Sequence, residues 1–244
     1  MQRREGQNVS IRHRPSDQDI ASYFDSRVGC CAPQLSTPAG RPGRVSARLR
    51  ESLADRVVGR SVLEIGCGTG DLLRYLVERG AARATGVDMA PAAVAEAIRR
   101  AKVAKLADRM RFVAGNAATL SLEQSLELSV DQSIEPHDIV VLDKVICCYA
   151  DRSGLLDATL PIARRTYAFS IPRTDGGWHA LTPLGIGIEN VTHRLAGRRF
   201  RAFAHDNSRI GRHVEAAGFA LVDRSNVFAW MVAVYERPSD NAIR

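Results

Sequence analysis

Val62-Leu-Glu-Ile-Gly-Cys-Gly-Thr-Gly70 is the stretch of sequence that decides the fold. It contains the pattern of a buried strand and leads into a segment with helical apolar spacing. Glycines at 66, 68 and 70 let the backbone turn tightly, so a ligand can approach without meeting a Cβ atom. The N-terminus of the helix offers free N–H groups and a partial positive charge, which suit a carboxylate. Glu64 can face an ammonium group, so the stretch predicts a site for the zwitterionic end of an amino acid.

Strand and helix patterns alternate along the rest of the chain. Strands are predicted at 61–65, 84–87, 110–114, 138–142, 167–171, 219–223 and 227–236. Helices are predicted at 20–27, 45–58, 71–79, 91–105, 153–165 and 206–217. Such alternation favours a parallel sheet with right-handed crossovers. The fold class is therefore α/β, a doubly wound, mostly parallel seven-stranded sheet with an antiparallel edge strand and a helical insert after the fifth strand.

The length of 244 residues and the absence of repeats predict a single domain at 19–244, preceded by a tail at 1–18. The tail is polar and Arg-rich, so we expect it to be disordered or loosely docked. Residues 172–203 follow the fifth strand, at the sheet edge where ligands bind in such folds, and are interpreted as a substrate lid. Acids recur every four residues within 119–136 and indicate a solvated helix face rather than a metal site.

The formal net charge is +7, and only three of the 34 basic residues are Lys. This excess is spread over both ends of the chain and forms no basic stripe with interleaved aromatic residues, so a nucleic-acid partner is not expected. A small anionic substrate fits the basic balance at least as well. No apolar run approaches the roughly 20 residues that a membrane span needs, and a cytoplasmic protein is the expectation.

The cysteines form neither a disulfide framework nor a Cys-x-x-Cys metal pattern. They are Cys30, Cys31, Cys67, Cys147 and Cys148. We interpret them as reduced thiols that pack as small apolar groups, and no metal is expected.

A nicotinamide cofactor is the first alternative ligand for the glycine-rich turn. Its fingerprint is Gly-x-Gly-x-x-Gly or Gly-x-Gly-x-x-Ala. Counting from Gly66, the sixth position is Asp71, whose negative charge near a pyrophosphate would be unfavourable. The spacing therefore favours a different cofactor.

The segment Glu64-Ile-Gly-Cys-Gly-Thr-Gly70 resembles the first motif of class I S-adenosylmethionine-dependent methyltransferases, which have a Rossmann-like fold. Gly86-Val-Asp88 is similar to the second motif of that family, in which the acid accepts hydrogen bonds from both ribose hydroxyls. Phe112-Val-Ala-Gly-Asn-Ala117 is similar to the loop that meets adenine, with Asn116 where many relatives have Asp. Asp138-Ile-Val-Val-Leu-Asp-Lys-Val145 is similar to the strand whose end lines the sulfonium side.

The resemblance implies S-adenosylmethionine as the cofactor. It also implies a set of cofactor contacts, to which Tyr23 is added as a side chain that closes over the ligand. The predicted set is Glu64, Gly66, Cys67, Gly68, Gly70, Asp88, Met89, Asn116, Ala117, Asp143 and Tyr23.

A narrower resemblance connects the chain with magnesium-protoporphyrin O-methyltransferases, which methylate a propionate carboxylate. It rests on Tyr23-Phe24-Asp25, Phe203-Ala-His205, Gly218-Phe219 and the aromatic final strand. The region between Tyr23 and the first strand is short and proline-rich, which departs from that class.

Methyl transfer to an oxygen, nitrogen or carbon of a small-molecule acceptor is the function that these motifs imply. A hydroxyl or amine acceptor would need a general base, and His205 is the best placed of His137, His179, His193 and His205. Tyr149 is a second candidate for contact with the acceptor, and Arg173 and Arg201 are candidates for pairing with an anionic one. A non-catalytic, cofactor-binding or regulatory protein on the same fold is the alternative of another class.

Overall fold

Seven strands form one sheet in the part of the chain that the computed structural model describes, residues 15–28, 43–119 and 134–238. The strands are β1 (Ser61–Ile65), β2 (Arg83–Asp88), β3 (Met110–Ala114), β4 (His137–Asp143), β5 (Ala163–Pro172), β6 (Ala220–Val227) and β7 (Trp230–Glu236). Their order is β3-β2-β1-β4-β5-β7-β6. The first five strands run parallel, and β7 is antiparallel to both β5 and β6. The predicted fold class is confirmed.

Helices connect these strands and precede the first of them. They are α1 (Asp17–Val28), α2 (Arg44–Ala54), α3 (Asp71–Glu78), α4 (Pro91–Val103), α5 (Arg152–Thr159), α6 (Thr182–Leu195) and α7 (Asn207–Ala216). Short 3-10 turns occupy Ile146–Cys148 and Gly177–Leu181. Residues 1–14 of the predicted tail, residues 29–42, and residues 120–133 of the acidic segment lie outside the described residues.

The first helix begins earlier than its apolar pattern predicts. Ser16 Oγ accepts a bond from the Asp19 amide at 3.2 Å, and the Asp19 carboxylate accepts one from the Ser16 amide at 2.9 Å. This reciprocal capping satisfies two amides at the helix start, so α1 begins at Asp17, inside the predicted tail.

Two predicted boundaries in the C-terminal half are wrong. The helix predicted at 153–165 ends at Thr159, and residues 163–165 belong to β5. Pro161 follows directly and cannot donate a helical hydrogen bond, which stops the helix. Val227 ends β6 instead of opening the last strand, because the chain reverses at Phe228, which has a φ of 53°.

Side chains on neighbouring positions of the central strands enter cores on opposite sides of the sheet. Leu63 packs in a cluster with side chains of α5 and α7, such as Leu155 and Ile210. Val62 packs in a second cluster with side chains of α2 and α3, such as Leu49. Side chains alternate along a strand, so a strand with helices on both faces is buried on both, and all five residues of β1 are buried, Ser61 and Glu64 included.

The chain reverses its direction across the sheet between β1 and β4. From β1 the strands follow one another outward to β3 in one direction, and from β4 they continue to β5 in the other. Ligands bind in the crevice that such a reversal leaves at the carboxyl ends of the strands. The glycine-rich stretch leaves β1 at this point.

A buried hydrogen bond between α5 and β5 predicts unequal effects of two substitutions. Thr159 Oγ1 donates to the Leu155 carbonyl at 2.7 Å, so the Tyr167 hydroxyl, 2.8 Å away, donates to Thr159. Both residues are fully buried. Tyr167→Phe removes the donor and should lower the free energy of unfolding by about 1 kcal/mol. Thr159→Val leaves the phenol hydroxyl unpaired and should cost about 1–3 kcal/mol. Urea unfolding measures both, and a larger effect for Tyr167→Phe would contradict the assignment of the donor.

Candidate functional site

A cavity of about 460 Å³ lies at the carboxyl ends of β1, β2 and β4. Its floor is formed by the glycine-rich turn and by the residues that follow β2 and β4. One wall is formed by α1. The lining residues are Ile20, Phe24, Arg27, Val28, Ile65, Gly66, Gly68, Thr69, Asp71, Val87, Asp88, Met89, Ala93, Arg100, Gly115, Ala117, Asp143, Lys144, Val145, Cys148 and Tyr149.

The glycine-rich turn has a left-handed backbone at three positions, with φ of 69° at Gly66, 51° at Gly68 and 78° at Gly70. A Cβ atom on Gly66 would lie 2.4 Å from Val145 Cγ2, and one on Gly70 would lie 2.9 Å from Phe112. A Cβ atom on Gly68 would have no atom within 4 Å. Gly66 and Gly70 are therefore required for packing, whereas Gly68 presents bare backbone to the cavity.

Asp88 ties this turn to the end of β2. Its carboxylate accepts hydrogen bonds from the Gly68 amide at 2.7 Å and the Ala90 amide at 2.9 Å. Burial raises the pKa of Asp88, and these two N–H groups oppose the increase. The side chain is only half-buried and lines the cavity, so the rest of its lone pairs can accept from a ligand.

Glu64 lies directly beneath the turn. Its side chain is buried, and Oε2 has no hydrogen-bond partner among the described residues. Burial is the main cause that raises the pKa of Glu64 well above its usual value, and the charges of Asp143 and Asp88 add to it. A buried carboxyl with an unpaired oxygen is costly, and a cationic group beside it would lower that cost. Glu64 itself does not line the cavity.

Asp143, at the end of β4, is fixed by two hydroxyls. Ser46 Oγ and Ser170 Oγ each donate to its carboxylate at 2.5 Å. Lys144 follows with a φ of 62°, and its Nζ donates to Ser46 Oγ at 2.9 Å. The carboxylate and the ammonium group therefore share Ser46, and both residues line the cavity.

A second polar group lies at the other end of the cavity. Tyr149 Oη donates to Asn116 Oδ1 at 3.0 Å, and Asn116 Nδ2 donates to Asp17 at 2.8 Å. Burial, followed by the charges of Asp17 and Asp88, raises the pKa of Tyr149. A phenol with a raised pKa stays protonated at neutral pH, so Tyr149 is a hydrogen-bond donor here. Met89 and Ala117 line the cavity nearby.

Like Glu64, four other predicted cofactor residues do not line the cavity. Cys67 is buried with its Sγ against β2, where a Cβ on Gly86 would meet it at 2.7 Å. Tyr23 stacks on Phe200 with ring centroids 4.2 Å apart, beside the lining residues Phe24 and Arg27. The other two are Gly70, at the N-cap of α3, and Asn116, which reaches the site through Tyr149.

The candidate bases all lie away from the cavity lining. His205 is buried and its Nε2 donates to the Tyr149 carbonyl at 2.9 Å, so it supports the backbone that carries Tyr149. Burial lowers the pKa of His205. His193 packs beside Tyr23, and His179 lies in the 3-10 turn before α6. His137 lies at the start of β4, at the opposite end of the sheet.

The two arginines predicted to bind an anionic substrate are engaged elsewhere. Arg173 pairs with Asp175 at 3.1 Å. Arg201 donates to the carbonyls of Arg198 and Phe200 at 3.0 and 2.7 Å. Neither lines the cavity.

Other basic residues line the cavity, although they were not among the predicted site residues. Arg27 projects from α1, and Lys144 follows the end of β4. Arg100 also lines it, but its guanidinium pairs with Asp71 at 3.2 Å and with Glu96 at 2.7 Å. The sequence does give one indication of a role for Lys144, since it is one of only three lysines and directly follows the end of a strand.

Cys67, Cys147 and Cys148 are buried free thiols, while Cys30 and Cys31 lie outside the described residues. Within the described ranges, no group of His, Cys, Asp or Glu is arranged to hold a metal ion. Over the same ranges, no helix has both the length and the apolar character needed to cross a bilayer.

Residues 62–145 match a family model described as a methyltransferase domain. This segment runs from β1 to the residue after Lys144, so it includes the glycine-rich turn, Asp88 and Asp143. The resemblance predicted from the sequence is confirmed for it. No curated protein matches the sequence.

Solved structures share the fold over most of the chain. Magnesium protoporphyrin IX methyltransferase from Synechocystis PCC 6803, with bound S-adenosylhomocysteine, has a TM-score of 0.63 at 18% identity over 91% of this chain and 99% of that one. The N-methyltransferase NodS from Bradyrhizobium japonicum WM9, in complex with S-adenosylhomocysteine, has a TM-score of 0.60 at 17% identity. The match covers 91% of this chain and 100% of that one. Geranyl diphosphate C-methyltransferase from Streptomyces coelicolor A3(2) has a TM-score of 0.64 at 13% identity. The match covers 92% of this chain and 98% of that one.

The geometry of the turn predicts different effects of adding a methyl group at Gly66 and at Gly68. Both positions have positive φ, so each Ala variant should lose about 1–2 kcal/mol of unfolding free energy from backbone strain. Gly66→Ala should lose more, because its methyl overlaps Val145 Cγ2. Chemical denaturation measures both variants. Adding Val145→Ala to Gly66→Ala should recover part of the difference, and equal stability of the two single variants would contradict this packing.

His137 predicts a pH dependence of stability. Its Nδ1 donates to the Glu135 carbonyl at 2.6 Å, and Nε2 accepts from Thr85 Oγ1 at 2.9 Å, which is the neutral tautomer. Burial lowers the pKa of His137 from 6.5. The unfolded chain therefore binds the proton first, and stability that is complete above pH 6.5 is lost as the pH falls through the lowered folded value.

Unfolding experiments from pH 7.5 to pH 5.5 measure this effect. His137→Gln should flatten the loss of stability on acidification, whereas the matched control His179→Gln should leave the slope as it is. A slope unchanged in His137→Gln would rule out this histidine as its source.

Proposed function

We propose that this chain is an S-adenosylmethionine-dependent methyltransferase that acts on a small-molecule acceptor. The observation that carries the proposal is the cavity formed by the bare Gly68 backbone and Asp88, within the segment that matches a methyltransferase domain.

The residues around the turn fit each part of the cofactor. The N-terminus of α3 and the Gly68 backbone suit its carboxylate, since no side chain fills that space. The unpaired Oε2 of Glu64 suits its ammonium group. Asp88 has acceptor capacity left for the ribose hydroxyls. Ala117, which lines the cavity, and its neighbour Asn116 are the proposed contacts for the adenine. Gly66, Met89 and Asp143 complete the proposed cofactor site.

The bound cofactor supplies an activated methyl group on a sulfonium. The protein then has to align the acceptor and exclude water, because the leaving group needs no further activation. Phe24 and Val28 of α1 close one side of the cavity with apolar surface. Tyr149 donates a hydrogen bond and is held in place by Asn116, and His205 positions its backbone. Tyr149 and His205 therefore orient the site.

An anionic acceptor is the proposed substrate class. Arg27 and Lys144 both line the cavity, and Lys144 forms no ion pair within the described residues. Of the acids in the lining, Asp71 pairs with Arg100, and Asp88 and Asp143 are assigned to the proposed cofactor site. A carboxylate is ionised at neutral pH and needs no general base, which agrees with histidines that lie outside the lining. Carboxylate O-methylation, of which the magnesium-protoporphyrin reaction is one case, is therefore the proposed reaction class.

Two experiments test this function against its rivals. Calorimetry should detect S-adenosylmethionine binding and no NAD binding, and the reverse would favour a nicotinamide enzyme. Transfer of a labelled methyl group to a panel of carboxylates, including a porphyrin dicarboxylate, amines and phenols tests catalysis. Cofactor binding without transfer to any acceptor would favour a non-catalytic binding protein.

Asp88→Ala should weaken S-adenosylmethionine binding by about 2–4 kcal/mol, the range of a lost pair of charge-assisted hydrogen bonds. Calorimetry measures the change, and the exposed Glu135→Ala at the opposite end of the sheet is the matched control. The Gly68 and Ala90 amides also lose their acceptor, so a thermal melt without ligand must accompany the titration. Unchanged affinity in a folded Asp88→Ala protein would refute the ribose contact.

A further inference from the structure

The insert after β5 exposes an apolar stripe along one helix. The stripe consists of Leu181, Leu184, Ile188, Val191 and Leu195, which are spaced by three and four residues in turn. Each of these side chains is at least 51% exposed. At 100° per residue, the four on α6 lie within an arc of about 60°, and Leu181 directly precedes this helix. A contiguous exposed apolar patch of this kind marks a surface that binds something.

The stripe points away from the body of the protein, because α6 is attached through its other face. Asn190 exchanges two hydrogen bonds of 2.8 Å with the Ala202 backbone, and His193 is buried beside Tyr23 and Phe200. These positions lie about half a turn from Ile188 on the helix. The usual orientation of an amphipathic helix is therefore reversed, with polar groups packed inward and aliphatic groups facing outward.

Two large aromatic side chains lie at the same edge of the sheet. Trp178, just before α6, is 86% exposed, and Phe228, at the turn between β6 and β7, is 91% exposed. The Arg173 amide donates to the Ala229 carbonyl at 2.8 Å, so the start of the insert runs beside this turn. Two separate chain segments therefore present bulky apolar groups from one edge of the molecule.

The same segment carries a positive charge. Residues 173–201 contain five arginines against one Asp and one Glu, a net charge of +3 with neutral histidines. Three of the arginines, Arg194, Arg198 and Arg199, are exposed at the C-terminal end of α6. An exposed apolar stripe next to exposed arginines is complementary to a surface with anionic headgroups above an apolar layer.

We propose that α6, together with Trp178 and Phe228, docks onto the surface of a bilayer that contains anionic phospholipids. The helix would lie in the plane of the interface, where tryptophan is favoured. This surface lies apart from the cofactor cavity, with α1 between them, so the inference does not depend on the proposed function.

A second copy of the chain fits the same surface less well. Pairing two copies would bring two segments of charge +3 together, whereas an anionic bilayer attracts them.

Sedimentation with vesicles tests the proposal on the full chain without any cofactor. The protein should bind vesicles of phosphatidylglycerol and phosphatidylcholine, should bind pure phosphatidylcholine much more weakly, and should be released as salt rises. Leu184→Ser/Ile188→Ser and Phe228→Ser should each weaken binding, the first by at least about tenfold. Arg194→Gln/Arg198→Gln should weaken binding and reduce its dependence on salt.

Matched controls separate docking from general effects. Val58→Ser and Val103→Ser remove exposed apolar groups elsewhere, and Arg212→Gln removes an exposed charge from α7, so all three should bind like the wild type. Circular dichroism checks that each variant is folded. Failure to bind anionic vesicles, or equal binding by the stripe variants and controls, would overturn the proposal. So would a dimer, measured by light scattering, that the stripe variants dissociate.

Discussion

The hydrogen bond from the Gly68 amide to the Asp88 carboxylate is the contact on which the site depends. Pairing of β1 with β2 brings Ile65 beside Val87, so both strands end at one edge. The amides of Gly66 and Cys67 then donate to the Val87 carbonyl, and the next amide reaches Asp88. Three consecutive amides of the turn are therefore hydrogen-bonded to the end of β2, and the other side of the turn faces the cavity.

Most of the fold could be predicted from the spacing of apolar residues in the sequence. That spacing indicates which side chains are buried, and therefore which segments are strands and which are helices. The centre of β4, residues 139–142, is an unbroken buried apolar run because helices cover both faces of the sheet. Local signals failed where one residue overrides the pattern: Pro161 ended a helix that apolar spacing extended to 165. The glycine motif and Asp88 were predictable as well, because backbone conformation and strand ends are encoded locally.

The acceptor side of the site could not be predicted in the same way, because it depends on which polar groups are already satisfied. His205 and Arg201 had suitable chemistry, but backbone carbonyls far away in the sequence or next to them accept their hydrogen bonds. Lys144 lines the cavity from a backbone with a φ of 62°, which is uncommon for lysine. The sequence shows that Lys144 follows a strand end, but it does not show this backbone conformation.

Neighbouring residues of α1 show how the insert and the cavity are connected. Phe24 and Arg27 line the cavity, while Tyr23, rotated by about 100° on the same helix, stacks on Phe200 and contacts His193 of α6. The same short helix therefore forms the wall of the cavity and the support of the insert. The aromatic contacts of Tyr23 and Phe24 with Phe200 therefore fix the position of α1 relative to the end of the insert, because closely packed rings leave little room for independent placement.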